Sequence, residues 1–395
     1  MLGNGTSMHL LTPDMPKPPR SPTCSALRNT ADKLNKDDRM PHYPSWEETF
    51  RGKVWRTTHF PRIEEDMPTF LGVRHALTEE DIQGADVVII GAPFVAGWGQ
   101  KYSGVDKAEW ISATRRVRQQ SIRYRSGYIQ DFDLDVFEHL NVVDFGDADI
   151  PLATSYDGRV EKILEAEEAT MVKVRAALKA GAVPIVIGQN SPCGSYAVGR
   201  PIAESVSGKV GMVSLDTHWD AWPYDWATMS DHVAGSTNWK DKLYRDCSNF
   251  SMANLVEIGE RGMLEDPATI RRFVGAGADF IPMWRLRTEL GIEGTVKALD
   301  RAFDGTDAVY AHFDMDVMGG AGPAEGDILG ELAEPIGMSD YEAIRLGHEV
   351  GLRGCDGLSF ICIPPGSAVT YRVIVYVMMY FMAGLAKRKI AAAKS

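Results

Sequence analysis

The stretch Val210–Asp220 reads VGMVSLDTHWD, and a second stretch, Ala308–Asp316, reads AVYAHFDMD. Each begins as a run of mostly apolar residues and ends in carboxylates. A strand half-exposed to water alternates polar and apolar residues, whereas one buried on both faces of a parallel sheet does not. Five further runs have the same character: Val87–Pro93 (VVIIGAP), Asn141–Asp147 (NVVDFGD), Val183–Gly188 (VPIVIG), Asn254–Gly259 (NLVEIG) and Gly357–Pro364 (GLSFICIP). Amphipathic stretches of helical period lie between them, at Val160–Ala180, Pro267–Gly275, Gly294–Phe303, Asp340–Gly351 and Tyr371–Lys389. Strand–helix alternation of this kind predicts an α/β protein with three layers, αβα, around a mostly parallel central sheet. Ligands of such sheets bind just beyond the C-terminal strand ends, so the polar residues that close the runs are where chemistry is expected.

The surroundings of this core are plainer. Residues 1–66 are rich in Pro and polar residues and show no sustained period, which predicts a partly irregular N-terminal arm ahead of an α/β domain at 67–395. Trp46, Trp55 and Phe60 in the arm favour burial. The chain carries a formal net charge of -12, which argues against nucleic acid and anionic membranes as partners and suits a small cationic substrate. Its five cysteines (Cys24, Cys193, Cys247, Cys355, Cys362) are scattered, odd in number and free of CxxC pairs, as expected of reduced thiols. No charged and apolar leader is evident, so a cytoplasmic protein is expected. The apolar run Val373–Ala386 is shorter than the roughly 20 residues a membrane span needs and reads as a buried C-terminal helix, with Met378, Met379 and Met382 in the core or at a subunit interface.

The strand ends carry Asp216, His218 and Asp220 in one case and Asp314 and Asp316 in the other. In an extended chain, residues i, i+2 and i+4 point to one side, so one imidazole and four carboxylates are expected to converge. Packing several carboxylates together in a protein interior costs several kcal/mol per ion unless a cation accompanies them. Such a set fits a pair of divalent transition ions with bridging carboxylates. Either motif alone is weak, since a strand-end Asp often caps a following helix; the two together are specific. His59, His75 and His348 read as ordinary polar residues, and Cys193 as an inert thiol for want of a neighbouring base.

DTHWD resembles the DAHxD motif of the ureohydrolases (arginase, agmatinase, guanidinase and relatives), and HFDMDV resembles their SxDxDxxDP motif. Other similarities follow in the same order: VVIIGAPFVAGWG at Val87–Gly99, IGQNSPCGSYAVGRPI at Ile187–Ile202 against a GGDHS segment, Asp231-His232 with Gly235, EIGERG at Glu257–Gly262, and Glu334-Pro335-Ile336-Gly337 against EPGG. The resemblance covers roughly residues 67–390. It implies an arginase-like fold and a pair of Mn²⁺ or Ni²⁺ ions that lower the pKa of a shared water, whose hydroxide attacks a planar guanidino carbon. Carried over residue by residue, it implies that Asp216 and Asp314 bridge the ions, that His218 and Asp316 complete one site, and that Asp220 serves the other. Glu334 would hold the guanidinium by charge-assisted hydrogen bonds, and His232 would contact substrate or shuttle protons.

The pattern breaks at Gly188-Gln189-Asn190-Ser191. The histidine that GGDHS gives to one metal is Ser191 here, a poor ligand for these ions, and the adjacent Asp is Asn190, a change in the outer shell as well. Ala113-Thr114 likewise stands where the family usually has Gly-Pro. The family includes hydrolases built from two unequal subunits, and this chain resembles the metal-poor one. That implies a partner subunit with an intact GGDHS, a trimeric or hexameric assembly, a guanidino or biguanide substrate, and Ni²⁺ or Mn²⁺ at reduced occupancy or absent from this chain. A self-sufficient hydrolase with a modified site and a non-catalytic binding protein on the same scaffold are the alternatives.

Overall fold

A computed structural model describes residues 60–96, 107–124, 126–263, 265–319, 335–365 and 368–394. The arm up to residue 59, with Trp46, Trp55 and His59, lies outside the described residues, as does Glu334. At the edge of the arm, Phe60 is buried against Ile122, and Arg62–Glu64 pairs with Met67–Pro68 in a short antiparallel hairpin.

Nine parallel strands form the central sheet: β1 (Arg74–His75), β2 (Val87–Gly91), β3 (Val142–Asp147), β4 (Val183–Ile187), β5 (Val210–Leu215), β6 (Phe250–Ile258), β7 (Asp279–Ile281), β8 (Ala308–Asp314) and β9 (Gly357–Ile361). Their order is β7-β6-β5-β8-β9-β4-β2-β3-β1, and every pairing is parallel. All seven predicted runs are strands. The two edge strands, β1 and β7, span two and three residues and are too short to leave a period in the sequence.

Because successive side chains point to opposite faces, each strand feeds two cores. Val87 and Ile89 of β2 enter one cluster and Val88 and Ile90 the other. The main helices are α1 (Ala113–Ser121), α2 (Val160–Lys179), α3 (Ala197–Ser205), α4 (Trp239–Asp246), α5 (Pro267–Gly275), α6 (Gly291–Ala298), α7 (Asp340–Arg353) and α8 (Ala368–Ala392). Residues of α1, α6, α7 and α8 belong to the first cluster and residues of α2, α3, α4 and α5 to the second. This is the three-layer αβα sandwich expected, and α1, α3 and α4 are the helices the sequence pattern did not pick out. Ala113 and Thr114 open α1. That helix carries the buried Arg118, whose guanidinium lies 2.8 Å from Asp144 and 2.6 Å from Asp147 on β3.

The C-terminal apolar run is the centre of α8. This helix is long and apolar enough to cross a membrane by length and composition, but Ile374, Val377, Met378, Phe381, Met382 and Ala386 are fully buried. It packs on α7 at backbone distance: a Cβ on Gly351 would fall 2.1 Å from the Phe381 carbonyl, and one on Gly384 2.4 Å from that of His348.

Candidate metal centre

β5 and β8 are neighbours in register, with Phe313 opposite Leu215, so their C-terminal ends deliver Asp216 and Asp314 side by side. The chain does not continue extended there. β5 ends at Leu215, and the backbone N–H of His218 donates to Asp216 Oδ1 at 2.8 Å. Asp220 takes a positive φ of 48°. β8 passes into a single 3₁₀ turn, Met315–Val317, in which the N–H of Asp316 donates to Asp314 Oδ1 at 2.9 Å. The expectation that i, i+2 and i+4 converge through strand alternation is therefore corrected. Both motifs curl into turns, and each leading Asp satisfies the amide two residues on, as Asp side chains do where backbone pairing stops.

These turns assemble two groups of potential ligand atoms, each within a 4.8 Å span: Asp216, His218 and Asp316, and Asp216, His312 and Asp314. Asp216 belongs to both. Asp220 belongs to neither; its Oδ2 accepts from the indole N–H of Trp239 at 3.0 Å, although it is electrostatically coupled to Asp216. His232 stays apart from this cluster, its side chain 81% exposed and 3.7 Å from Asp231. Among the described residues the structure thus brings together Asp216, His218, Asp314 and Asp316 and sets His232 on the surface. The flanks of the segment holding Glu334 are fixed beside the centre: Met338 N–H donates to the Val317 carbonyl and Gly319 N–H to that of Met338, both at 2.8 Å.

The electrostatics call for positive charge. Burial, with Asp220, Asp314 and Asp316 close by, drives the Asp216 carboxyl well above the usual carboxylate range, and burial together with Asp316 does the same to Asp314. Asp220 is pushed up to about 7, chiefly by burial. Glu257, Glu260 and Glu265 add further carboxylates around Asp220 and Lys240. Two cationic groups answer them. Lys240 is fully buried, 2.8 Å from Glu257. His218 Nδ1 lies 3.1 Å from Asp316 Oδ2. Burial opposes the His218 imidazolium, but Asp316, Asp220 and Asp314 outweigh it and push the group up to about 10. Asp216 Oδ2 and His312 Nε2 are buried with no hydrogen-bond partner among the described residues. Orphaned acceptors facing one another among excess carboxylates are costly, and divalent cations relieve that cost, so the donor set fits the implied metal pair.

Gly259, from the EIGERG stretch, borders this centre at φ 108°; a Cβ there would meet Val317 at 2.3 Å and the Asp216 carbonyl at 3.0 Å. Nearby, Arg261 donates to the carbonyls of Asp316 and Val317, fixing the 3₁₀ turn. The altered segment does structural work: Gln189 exchanges two hydrogen bonds with the Ile363 backbone, at 2.7 and 2.8 Å, Asn190 accepts from the N–H of Ala96 at 3.2 Å, and Ser191 Oγ is buried without a partner among the described residues. Cys193 is fully buried, and burial pushes its thiol up. His348 is buried rather than superficial, bonded to Glu349 at 3.2 Å and Lys387 at 3.0 Å.

His312 is the residue sequence reasoning missed. It lies inside the apolar run of β8 and carries no spacing signal of its own. Yet it is two residues before Asp314 on the same strand, hence on the same face, and that offset was there to be used. Burial holds its ring neutral.

The structure thus combines a nine-stranded parallel α/β sandwich with two groups of candidate metal ligands that share one strand-end Asp. The family model described as Arginase family matches residues 85–356, and the chain belongs to that family, whose members are amidino hydrolases. The chain is 25% identical over 273 residues to formimidoylglutamase of Halobacterium salinarum, covering 67% of this chain and 79% of the relative. Among solved structures, Trypanosoma cruzi formiminoglutamase with Mn²⁺ is similar at TM-score 0.62 and 25% identity, over 82% of this chain and 100% of that one. Proclavaminate amidino hydrolase from Streptomyces clavuligerus shares the fold at TM-score 0.64 and 22% identity, over 82% and 98% of the two chains.

Proposed function

We propose that this chain is a subunit of a metal-dependent hydrolase that cleaves a C–N bond in guanidino or biguanide compounds. In this reading it works in the cytoplasm, in a hetero-oligomer with a related subunit whose GGDHS segment is intact. A precedent for such an arrangement is metformin hydrolase, which converts a biguanide to guanylurea and dimethylamine. The observation that carries the hydrolase reading is the place of Asp216 in both ligand groups, since a shared carboxylate is what a close pair of divalent ions requires. The supporting-subunit role rests on the Gly188–Ser191 segment, whose Gln189 and Asn190 side chains are committed to backbone contacts.

Asp216, His218 and Asp316 would hold one ion and Asp216 and Asp314 the other, with Asp220 adjoining; Mn²⁺ and Ni²⁺ both suit carboxylate and imidazole donors. Once bound, the pair makes hydroxide available near neutral pH. The protein supplies the rest. Asp316 orients the His218 ring through Nδ1, Arg261 fixes the backbone of Asp316 and Val317, and Lys240 offsets part of the carboxylate charge. The remaining negative field favours a planar cation, which Glu334 would engage.

A second reading, a self-sufficient amidine hydrolase with a modified centre, is favoured by the buried imidazole of His312 beside Asp216 and Asp314. The test is turnover of guanidino and biguanide substrates, read as released amine or urea, with added Mn²⁺ or Ni²⁺. Activity only on co-expression with a paralogue carrying GGDHS supports the subunit reading. Activity of the chain alone supports the second. Substrate binding without turnover in either setting overturns both in favour of a binding protein.

A further inference from the structure

We propose that His312 is a metal ligand of this chain, supplying from β8 the imidazole that Ser191 does not supply from the end of β4. The inference rests on the metal-hydrolase reading and, by giving this chain a complete pair of sites, favours the self-sufficient form of that reading over the supporting-subunit form. In the sequence, Ser191 occupies the place of the histidine in GGDHS, and His312 occupies the place of the serine in SxDxD. Against those two motifs this chain has a serine where a histidine is expected and a histidine where a serine is expected.

In space the exchange is consistent. His312 is fully buried and its Nε2 has no hydrogen-bond partner among the described residues, while ligand atoms of His312, Asp216 and Asp314 lie within 4.8 Å of one another. The other ring nitrogen is engaged: Nδ1 is 3.3 Å from Ser359 Oγ and 3.5 Å from the Tyr310 hydroxyl. Ser359 sits directly opposite His312 in the β8–β9 register. With Nδ1–H donated to Ser359, the Nε2 lone pair faces the carboxylates, and a second partner that fixes tautomer and ring angle is the usual device behind a ligating histidine. Trp239 packs edge-on against the ring, centroids 4.6 Å apart. Tyr310 joins the two halves of the exchange, because its hydroxyl also donates to the Ser195 carbonyl at 3.1 Å, in the turn that follows Ser191. A lone pair aimed at carboxylates in a buried site is repulsive unless a cation lies between them.

The experiment is a Mn²⁺ titration of the metal-stripped full chain, followed by electron paramagnetic resonance and by ion content after desalting, with spin-echo detection of coupled imidazole nitrogens. Wild type is expected to bind two ions per chain, with two imidazole nitrogens in contact. His312→Ala is expected to lose one ion, or to bind it on the order of 10–100-fold more weakly, and to lose one nitrogen coupling. The double variant Ser191→His with His312→Ser is expected to regain both, which separates lost ligation from misfolding. If His312→Ala matches wild type in stoichiometry and nitrogen coupling, the inference fails while the Asp216–His218–Asp316 site stands. If wild type binds no Mn²⁺ while remaining folded, the metal-hydrolase reading fails with it.

Discussion

Glu167 on α2 is 2% exposed, and its one described hydrogen bond is from the N–H of Ala234 at 3.4 Å. Burial pushes its carboxyl up to about 8 from an ordinary 4.5. Between those values the unfolded chain has released the proton and the folded chain still holds it. Stability is therefore greatest below pH 4.5 as far as this group is concerned, and falls as pH rises towards 8, by roughly 3–5 kcal/mol in total. Glu167→Gln keeps the neutral form at every pH. Urea midpoints with a chelator present should show the variant more stable than wild type at pH 8 and nearly level with it at pH 5. Equal pH slopes for the two proteins would refute the burial argument. The same desolvation acts on Asp216 and Asp314, where a divalent ion rather than a proton is the fitting counter-charge.

Between elements, the α7–α8 contact is the tightest helix packing the glycines mark. Gly351 and Gly384 let the backbones meet, and a side chain at either would strike a carbonyl rather than a yielding side chain tip. Gly384→Val should force the helices apart and cost roughly 3 kcal/mol or more, read as a lowered midpoint in chemical denaturation. Gly275 near the end of α5 meets nothing within 4 Å, so Gly275→Ala should be neutral or stabilise by about 0.5–1 kcal/mol. If both changes behaved alike, close helix packing would not be the reason for glycine at 384. The sequence showed α8 as an apolar run and α7 as an amphipathic one. It did not show that they touch through glycine, because the contact joins residues that no local period relates.

For the whole molecule, the centre is a store of unfavourable charge that metal should convert into stability. An ion that binds only the folded chain contributes about 2.7 kcal/mol at 100 times its dissociation constant. Saturating Mn²⁺ should therefore raise the melting temperature of the chelator-treated protein by several degrees in scanning calorimetry. Asp216→Asn should abolish most of that shift, since Asp216 serves both ligand groups. An undiminished shift in that variant would place the bound metal elsewhere.

The sequence by itself determined the layer order, seven of the nine strands and the acidic strand ends, because burial on both faces leaves an unbroken apolar run, and two such runs closing on several carboxylates stand out where a single capping Asp would not. It also marked Ser191 as the place where a ligand is missing. Only the tertiary structure decided how the ends fold over, since Asp216 and Asp314 turn their chains by capping amides two residues on, a local choice that strand periodicity hides. Only the structure, too, set His232 on the surface and His312 at the centre. The register of β8 between β5 and β9 aims a histidine that reads as core into the same pocket as the carboxylates, and register is fixed by pairing across the sheet rather than by neighbours along the chain.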